Sequence, residues 1–78
     1  MNKARRKQIE ETIKKLDLAN LELTNAKDDE QEAYDNMPES LQESERGIDM
    51  ESAIGDLEDA ISELEGVIES LYDIVNNY

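Results

Sequence analysis

The chain has 78 residues, of which 21 are acidic and 8 are basic, so its formal charge is −13. This length supplies one small domain, which we place at residues 1–78, and a core of that size is marginal unless disulfides, a metal or oligomerisation reinforce it. The absence of Cys and His excludes disulfides, thiolate and imidazole metal sites, and the common nucleophile–base pairs, and no glycine-rich phosphate loop is present. We therefore expect no enzymatic activity and no cofactor, which leaves oligomerisation as the reinforcement.

The N-terminal segment is the one basic part of the chain. Residues 1–15 carry six bases and two acids, a net charge of +4, whereas the rest carries two bases and 19 acids, a net charge of −17. The basic cluster consists of Lys3, Arg5, Arg6, Lys7, Lys14 and Lys15. No apolar run follows it, as a signal peptide or a membrane span would require, so we expect a cytoplasmic protein without membrane contact. The acidic remainder argues against direct binding to nucleic acid.

The first predicted element is a helix over residues 3–35, a segment without glycine or proline. A less regular spacing of four and three predicts one packing face, and it runs through Ile9, Ile13, Leu16, Asn20, Leu23, Lys27, Glu30 and Met37, helped by Ala19, Ala26 and Ala33. The best core set on that face is Ile9, Ile13, Leu16, Leu23, Ala26 and Ala33. Because cations in a first helical turn oppose the helix dipole, the basic cluster is paired, frayed or used for binding.

Three further residues of this helix have a predicted role in packing, although they are not in the core set. Asn20 occupies an apolar position of the repeat. It either is buried, fixing register and partner number at a cost in stability, or lies at the edge of the interface. Leu18 and Leu21 point away from the main stripe. They are candidates for a second contact, such as one between two copies of the hairpin.

The break between the arms is marked by Pro38, the only proline. We predict a turn over residues 36–39 and a second helix over residues 40–76. Ser40 and Glu43 have the spacing of a capping box at the start of that helix. Whether the helix continues through Gly47 stays open.

The second helix carries a heptad repeat, with apolar residues at alternating spacings of four and three. Its predicted packing positions are Met50, Ile54, Leu57, Ile61, Leu64, Ile68, Leu71 and Val75. One residue before the first position of each heptad lies a further row, Ala53, Ala60, Val67 and Ile74. The apolar stripe is therefore broader than a two-stranded contact needs, which is typical of a helix with more than one neighbour.

A short connection between two long helices favours antiparallel neighbours. The predicted fold class is all-α, an antiparallel two-helix coiled-coil hairpin in which the basic cluster approaches Glu69 and Asp73. Because a single hairpin leaves much of the wide stripe exposed, we expect a homodimer forming a four-helix bundle, or a hairpin docked on a partner protein.

Acidic side chains on the outer surface of the second helix form a candidate partner face. Its residues are Asp56, Glu58, Asp59, Glu63, Glu65, Glu69 and Asp73. Carboxylates four residues apart lie about 6 Å from one another on a helix, close to the spacing of phosphates along a nucleic-acid strand. Such rows could compete for the basic channel of a nucleic-acid-binding protein, or they could simply keep the apolar stripe soluble. The acids of residues 28–32 lack the order of an EF-hand loop, so we expect no metal site.

The segment EAYDNMPESLQESERG, from Glu32 to Gly47, precedes the acidic heptads. It resembles a group of small uncharacterised acidic proteins from phages and mobile elements of Gram-positive bacteria. The likeness covers roughly residues 30–71. Its fairly specific part is the turn sequence NMPESLQ, and it implies no site residue because the group carries no activity to transfer.

The resemblance implies a phage protein acting in the host cytoplasm. We predict a non-catalytic protein–protein interaction module that acts on a host protein or on assembly. The alternative is an acidic nucleic-acid mimic that inhibits a DNA- or RNA-binding host defence or repair protein.

Overall fold

Two long helices lie side by side and are joined at one end by a single-turn helix. The computed structural model describes all 78 residues and contains α1 (Lys3–Asp35), α2 (Glu39–Gln42) and α3 (Glu45–Asn77). Helix α1 packs against α3, and the molecule measures 58 × 15 × 13 Å. The prediction of an all-helical hairpin is therefore confirmed.

Contacts between α1 and α3 show that the two helices run in opposite directions. The Met1 ammonium group lies 3.4 Å from the Tyr78 carbonyl oxygen. Farther along, the Tyr72 hydroxyl donates a hydrogen bond to the Asp17 carboxylate, at 3.5 Å. The start of α1 therefore lies beside the end of α3. We call this the terminal end of the hairpin, and the opposite end, around α2, the turn end.

The heptad positions of α3 lie in its contact with α1, which we call the seam. The first apolar position of each heptad is buried and the second is half-buried. The buried set is Ile54, Ile61, Ile68 and Val75, and the half-buried set is Met50, Leu57, Leu64 and Leu71. Burial thus repeats with the seven-residue period of the sequence.

Helix α1 contributes apolar side chains to the seam mainly from its first half. Ile13 is only 2% exposed and forms a buried cluster with Ile68 and Val75. Ile9 and Leu16 pack against this cluster, and Leu23 is half-buried farther along. The buried apolar cluster of the molecule therefore lies nearer the terminal end.

Beyond Leu23, polar residues of α1 occupy the seam. Ala26 and Ala33 are exposed, so the prediction that they belong to the core is wrong. The spacing of four and three continues instead through Lys27 and Glu30, which are half-buried. Long polar side chains can cover apolar neighbours with their aliphatic stems while their charged groups reach water. The α3 heptads are covered in this way near the turn end.

Asn20 lies in the seam and is half-buried. Its amide oxygen is shielded from solvent and has no hydrogen-bond partner. A shielded acceptor without a partner costs about 1–3 kcal/mol of folding free energy. Asn20 therefore lies between the two interpretations, since it is in the seam but only half-buried.

The segment predicted as one second helix is divided into two. Helix α2 ends at Gln42, and α3 begins at Glu45 with Ser44 as its N-cap. The Ser44 hydroxyl accepts a hydrogen bond from the Gly47 N–H at 3.3 Å and donates to the Leu41 carbonyl oxygen. The predicted capping box that begins at Ser40 is therefore not the cap of the long helix.

At the turn end, the backbone of Gly47 lies directly against the backbone at the end of α2. It is buried within the first turn of α3, so the long helix does continue through it. A Cβ atom at this position would meet the carbonyl oxygen of Gln42 and would lie 2.5 Å from that of Leu41. Only glycine lets the end of α2 approach the start of α3 this closely.

Candidate functional site

Two apolar rows run along the same side of the seam. One belongs to α1 and the other to α3, and within each row the residues are seven apart, so they share one line along the helix. We call these rows together the alanine side, which consists of Ala19, Ala26, Ala33, Ala53, Ala60, Val67 and Ile74. Apart from the half-buried Ala19, these residues are exposed, and Val67 and Ile74 are 50% and 39% exposed. The alanine side is therefore an apolar surface that the hairpin does not cover.

The alanine side continues into two adjoining clefts at the turn end. The apolar cleft is lined by Ala33, Met37, Leu41, Ser44, Arg46 and Met50. The other cleft shares Ser44, Arg46 and Met50 with it and is lined as well by Glu30, Glu45, Asp49 and Ala53. Because Ala33 of α1 and Ala53 of α3 line these adjoining clefts, the two rows meet at the turn end. The clefts combine apolar side chains with an acidic rim.

The opposite side of the seam is polar and bridged between the helices. The Tyr34 hydroxyl donates a hydrogen bond to Glu51 at 3.1 Å, and Tyr72 donates to Asp17. Loss of hydration raises the pKa of the Tyr34 hydroxyl above its ordinary value of 10.0, and the hydrogen bond to the Glu51 carboxylate raises it further. We call this polar side of the seam, which carries Tyr34, Glu51, Tyr72 and Asp17, the tyrosine side. Two pairs of its polar side chains are therefore bridged within the chain.

The basic cluster at the terminal end is neither frayed nor paired within the chain. Helix α1 begins at Lys3, and the Asn2 side chain caps it by accepting from the Arg5 N–H at 2.9 Å. The expected proximity to Glu69 and Asp73 produces no ion pair. The cluster is thus a formed helical surface whose positive charges have no partner in this chain.

The only ion pair in the structure joins Lys27 to the adjacent Asp28, at 2.7 Å. Its hydrogen bond to the Asp28 carboxylate raises the pKa of the Lys27 ammonium group. The acidic residues of α3 therefore have no basic partner.

The seven residues of the predicted acidic face are all exposed. They do not form one line along α3. Glu58 and Glu65 share a row seven residues apart, and Asp56 and Glu63 share another row on a different part of the helix. The carboxylates therefore surround the solvent-facing surface of α3 rather than projecting in a single direction.

Leu18 and Leu21 form a separate apolar spot on α1. They are 58% and 56% exposed. Leu21 follows Ala19 by two residues, which is about 200° around the helix, so it lies on the other flank of α1. The structure thus presents two exposed apolar surfaces, of which the alanine side is much the longer.

No family model matches the chain, and no curated protein or solved structure does. No helix has the length and apolar character needed to cross a membrane. The structure brings no three acidic side chains together in an arrangement that could hold a metal ion.

The alanine side was only half visible in the sequence. The sequence predicts the row on α3 as a widening of the apolar stripe, whereas it predicts Ala26 and Ala33 of α1 as core residues. The seven-residue spacing of Ala19, Ala26 and Ala33 matches that of Ala53 and Ala60. That shared spacing is the signal that could have placed both rows on one side of the hairpin.

Proposed function

We propose that this chain is a non-catalytic protein-interaction module that binds through the alanine side of its hairpin. The observation that carries the proposal is an apolar surface that runs beside the seam and stays exposed, while the tyrosine side is bridged by hydrogen bonds. Contiguous exposed apolar surface on a small protein commonly marks a binding site.

The thin core supports the same proposal. Only six of the 78 residues are buried. A hairpin of this size gains stability when further apolar surface is removed from water, at roughly 25 cal/mol per Å². The occupant that we favour is a second hairpin, which gives a homodimeric four-helix bundle. The likeness of the turn segment to phage and mobile-element proteins favours action on a host protein or on an assembly in the host cytoplasm.

The second candidate function is inhibition of a DNA- or RNA-binding protein by mimicry of nucleic acid. The observation that favours it is the set of exposed carboxylates on α3, none of which has a cationic partner. A high density of unpaired negative charge attracts the basic channels that bind nucleic acid.

Affinity capture with matched variants separates the two functions. The tagged chain is applied to a Gram-positive bacterial lysate at low and high salt, beside an Ala60→Glu/Val67→Glu variant and an Asp56→Lys/Asp59→Lys/Glu63→Lys variant. Binding through the alanine side is lost in the first variant and resists salt. Binding by mimicry is lost in the second variant, and salt or added DNA abolishes it. A partner retained equally by both variants would contradict both proposals.

A further inference from the structure

We propose that the alanine side is covered by a second copy of this chain lying antiparallel to the first, with the terminal end of each hairpin over the turn end of the other. This inference rests on the proposed function, because it names the occupant and orientation of the same surface. Three observations carry it: the position of the alanine side, the sizes of its side chains, and the distribution of charge along the hairpin.

The alanine side is continuous with the seam. Its α3 row lies one residue before the buried positions, so a neighbour placed there also covers the half-buried edge of the seam. Small side chains let helices approach closely, since the distance between helix axes depends on the side chains at the contact. Ala26 and Ala60, at the middle of the two rows, therefore suit a close crossing of a second hairpin.

Side-chain size increases along the α3 row from the turn end to the terminal end. The row begins with Ala53 and Ala60 and ends with Val67 and Ile74. At the turn end, where the row is small, the surface contains the cleft formed by Met37, Leu41 and Met50 among others. An antiparallel second copy brings its larger side chains over this cleft and its alanines over the first copy's larger side chains. A parallel copy would place large against large and leave the clefts facing each other.

Charge is also distributed unequally between the two ends. Residues 28–51, at the turn end, carry ten acids and one base, a net charge of −9. Residues 1–15 and 66–78, at the terminal end, together carry six bases and four acids, a net charge of +2. A parallel pair would set −9 against −9, whereas an antiparallel pair sets each +2 end over a −9 end.

Side chains for this attraction lie beside the alanine side. Arg5 continues the α1 row, since it precedes Ala19 by two heptads, and its guanidinium has no acidic partner within the chain. At the other end, Glu30, Glu45 and Asp49 line the same cleft as Arg46, so that cleft keeps a net negative charge. Arg5, which has no ion-pair partner within one hairpin, thereby meets that cleft of the second copy.

The first test is the mass of the full chain in solution, measured by sedimentation equilibrium. The proposal expects twice the chain mass of 8.9 kDa. Ala60→Glu/Val67→Glu should raise the dissociation constant at least about 100-fold, because it introduces carboxylates into an apolar interface. Leu18→Glu/Leu21→Glu is the matched control, with two exposed apolar residues of α1 changed to the same side chain, and it should stay dimeric. Circular dichroism checks that both variants remain helical.

The second test measures orientation. The chain has no cysteine, so Ser52→Cys places one spin label on the exposed surface of α3 near the turn end. Ser52 lies nine residues from the middle of α3, so at 1.5 Å per residue an antiparallel dimer separates the two label sites by about 27 Å along the hairpin, whereas a parallel dimer places them at the same level. A charge exchange adds a second measure. Arg5→Glu and Glu45→Lys/Asp49→Lys should each weaken self-association, and mixing the two variants should restore it.

Each contrary outcome has a distinct meaning. A short label distance, a monomeric wild type, or a dimer broken by the Leu18→Glu/Leu21→Glu control overturns the antiparallel second copy. If the wild type is monomeric but Ala60→Glu/Val67→Glu still abolishes capture of a partner, the alanine side keeps its proposed function and only its occupant is different. If that variant changes neither self-association nor capture, the proposed function fails as well.

Discussion

Replacement of Gly47 by alanine should destabilise the hairpin, although alanine is the better helix former. The added Cβ would lie 2.5 Å from the Leu41 carbonyl oxygen and nearer still to that of Gln42, so this backbone would have to move by at least about 0.9 Å to reach the 3.4 Å of ordinary contact. Inserting a methyl group into a filled space costs about 1–3 kcal/mol. Displacing α2 also weakens the Ser44 cap, at about 1 kcal/mol.

The gain in helix propensity offsets only about 1 kcal/mol of that cost, so we expect a net loss of about 2 kcal/mol. For a domain of this size the loss lowers the melting temperature by about 10 °C. Thermal melts followed by circular dichroism, at one fixed protein concentration because association shifts the midpoint, measure it. Gly55→Ala is the matched control, since nothing lies within 4 Å of its Cβ position, and it should stabilise by about 0.5–1 kcal/mol. A Gly47→Ala protein that melts at or above the wild-type temperature would refute this account of the turn.

Two further predictions concern polar groups in and beside the seam. Asn20→Leu should raise the free energy of unfolding, measured in urea, by about 1–3 kcal/mol, because it removes the shielded amide oxygen that lacks a partner. The control Asn25→Leu, at an exposed position, should change that free energy by less than about 0.5 kcal/mol. Equal effects of the two variants would show that the position of Asn20 in the seam is not the cause. Tyr34 has a raised pKa in the folded chain, so folding holds its proton more tightly than the unfolded chain does. The stabilisation from Tyr34 is therefore full below pH 10 and disappears as the pH rises through the raised pKa. The difference in free energy of unfolding between wild type and Tyr34→Phe should shrink on alkaline titration. A difference that grows above pH 10 would contradict the direction of the pKa shift.

The heptads of α3 could be predicted because apolar residues mark every position that packs. The seam of α1 could be predicted only as far as Leu23, since beyond it Lys27 and Glu30 occupy the packing positions and hydropathy cannot identify them. The aliphatic parts of such side chains cover apolar surface, but a hydropathy pattern scores the whole residue as polar.

The break before α3 could not be predicted for a different reason. Two serines, Ser40 and Ser44, each had the local chemistry of a helix cap. What distinguishes them is the close approach of Gly47 to the backbone of α2, a contact that no local pattern contains. The alanine side likewise required both helices to be in place before its two rows became one surface.

The position of the buried cluster near the terminal end has a consequence for how the chain folds. Ile13 and Val75 meet there although they are 62 positions apart in sequence, whereas near the turn α1 sets the polar Lys27 and Glu30 against the apolar heptads of α3. A helical hairpin normally gains its first contacts beside the turn, where the loop to be closed is short. In this chain those contacts join apolar side chains to polar ones, and the cluster that is apolar on both helices forms only when the longest loop is closed. We therefore expect folding slower than is typical for a helical hairpin, with a transition state in which the two chain ends have already met.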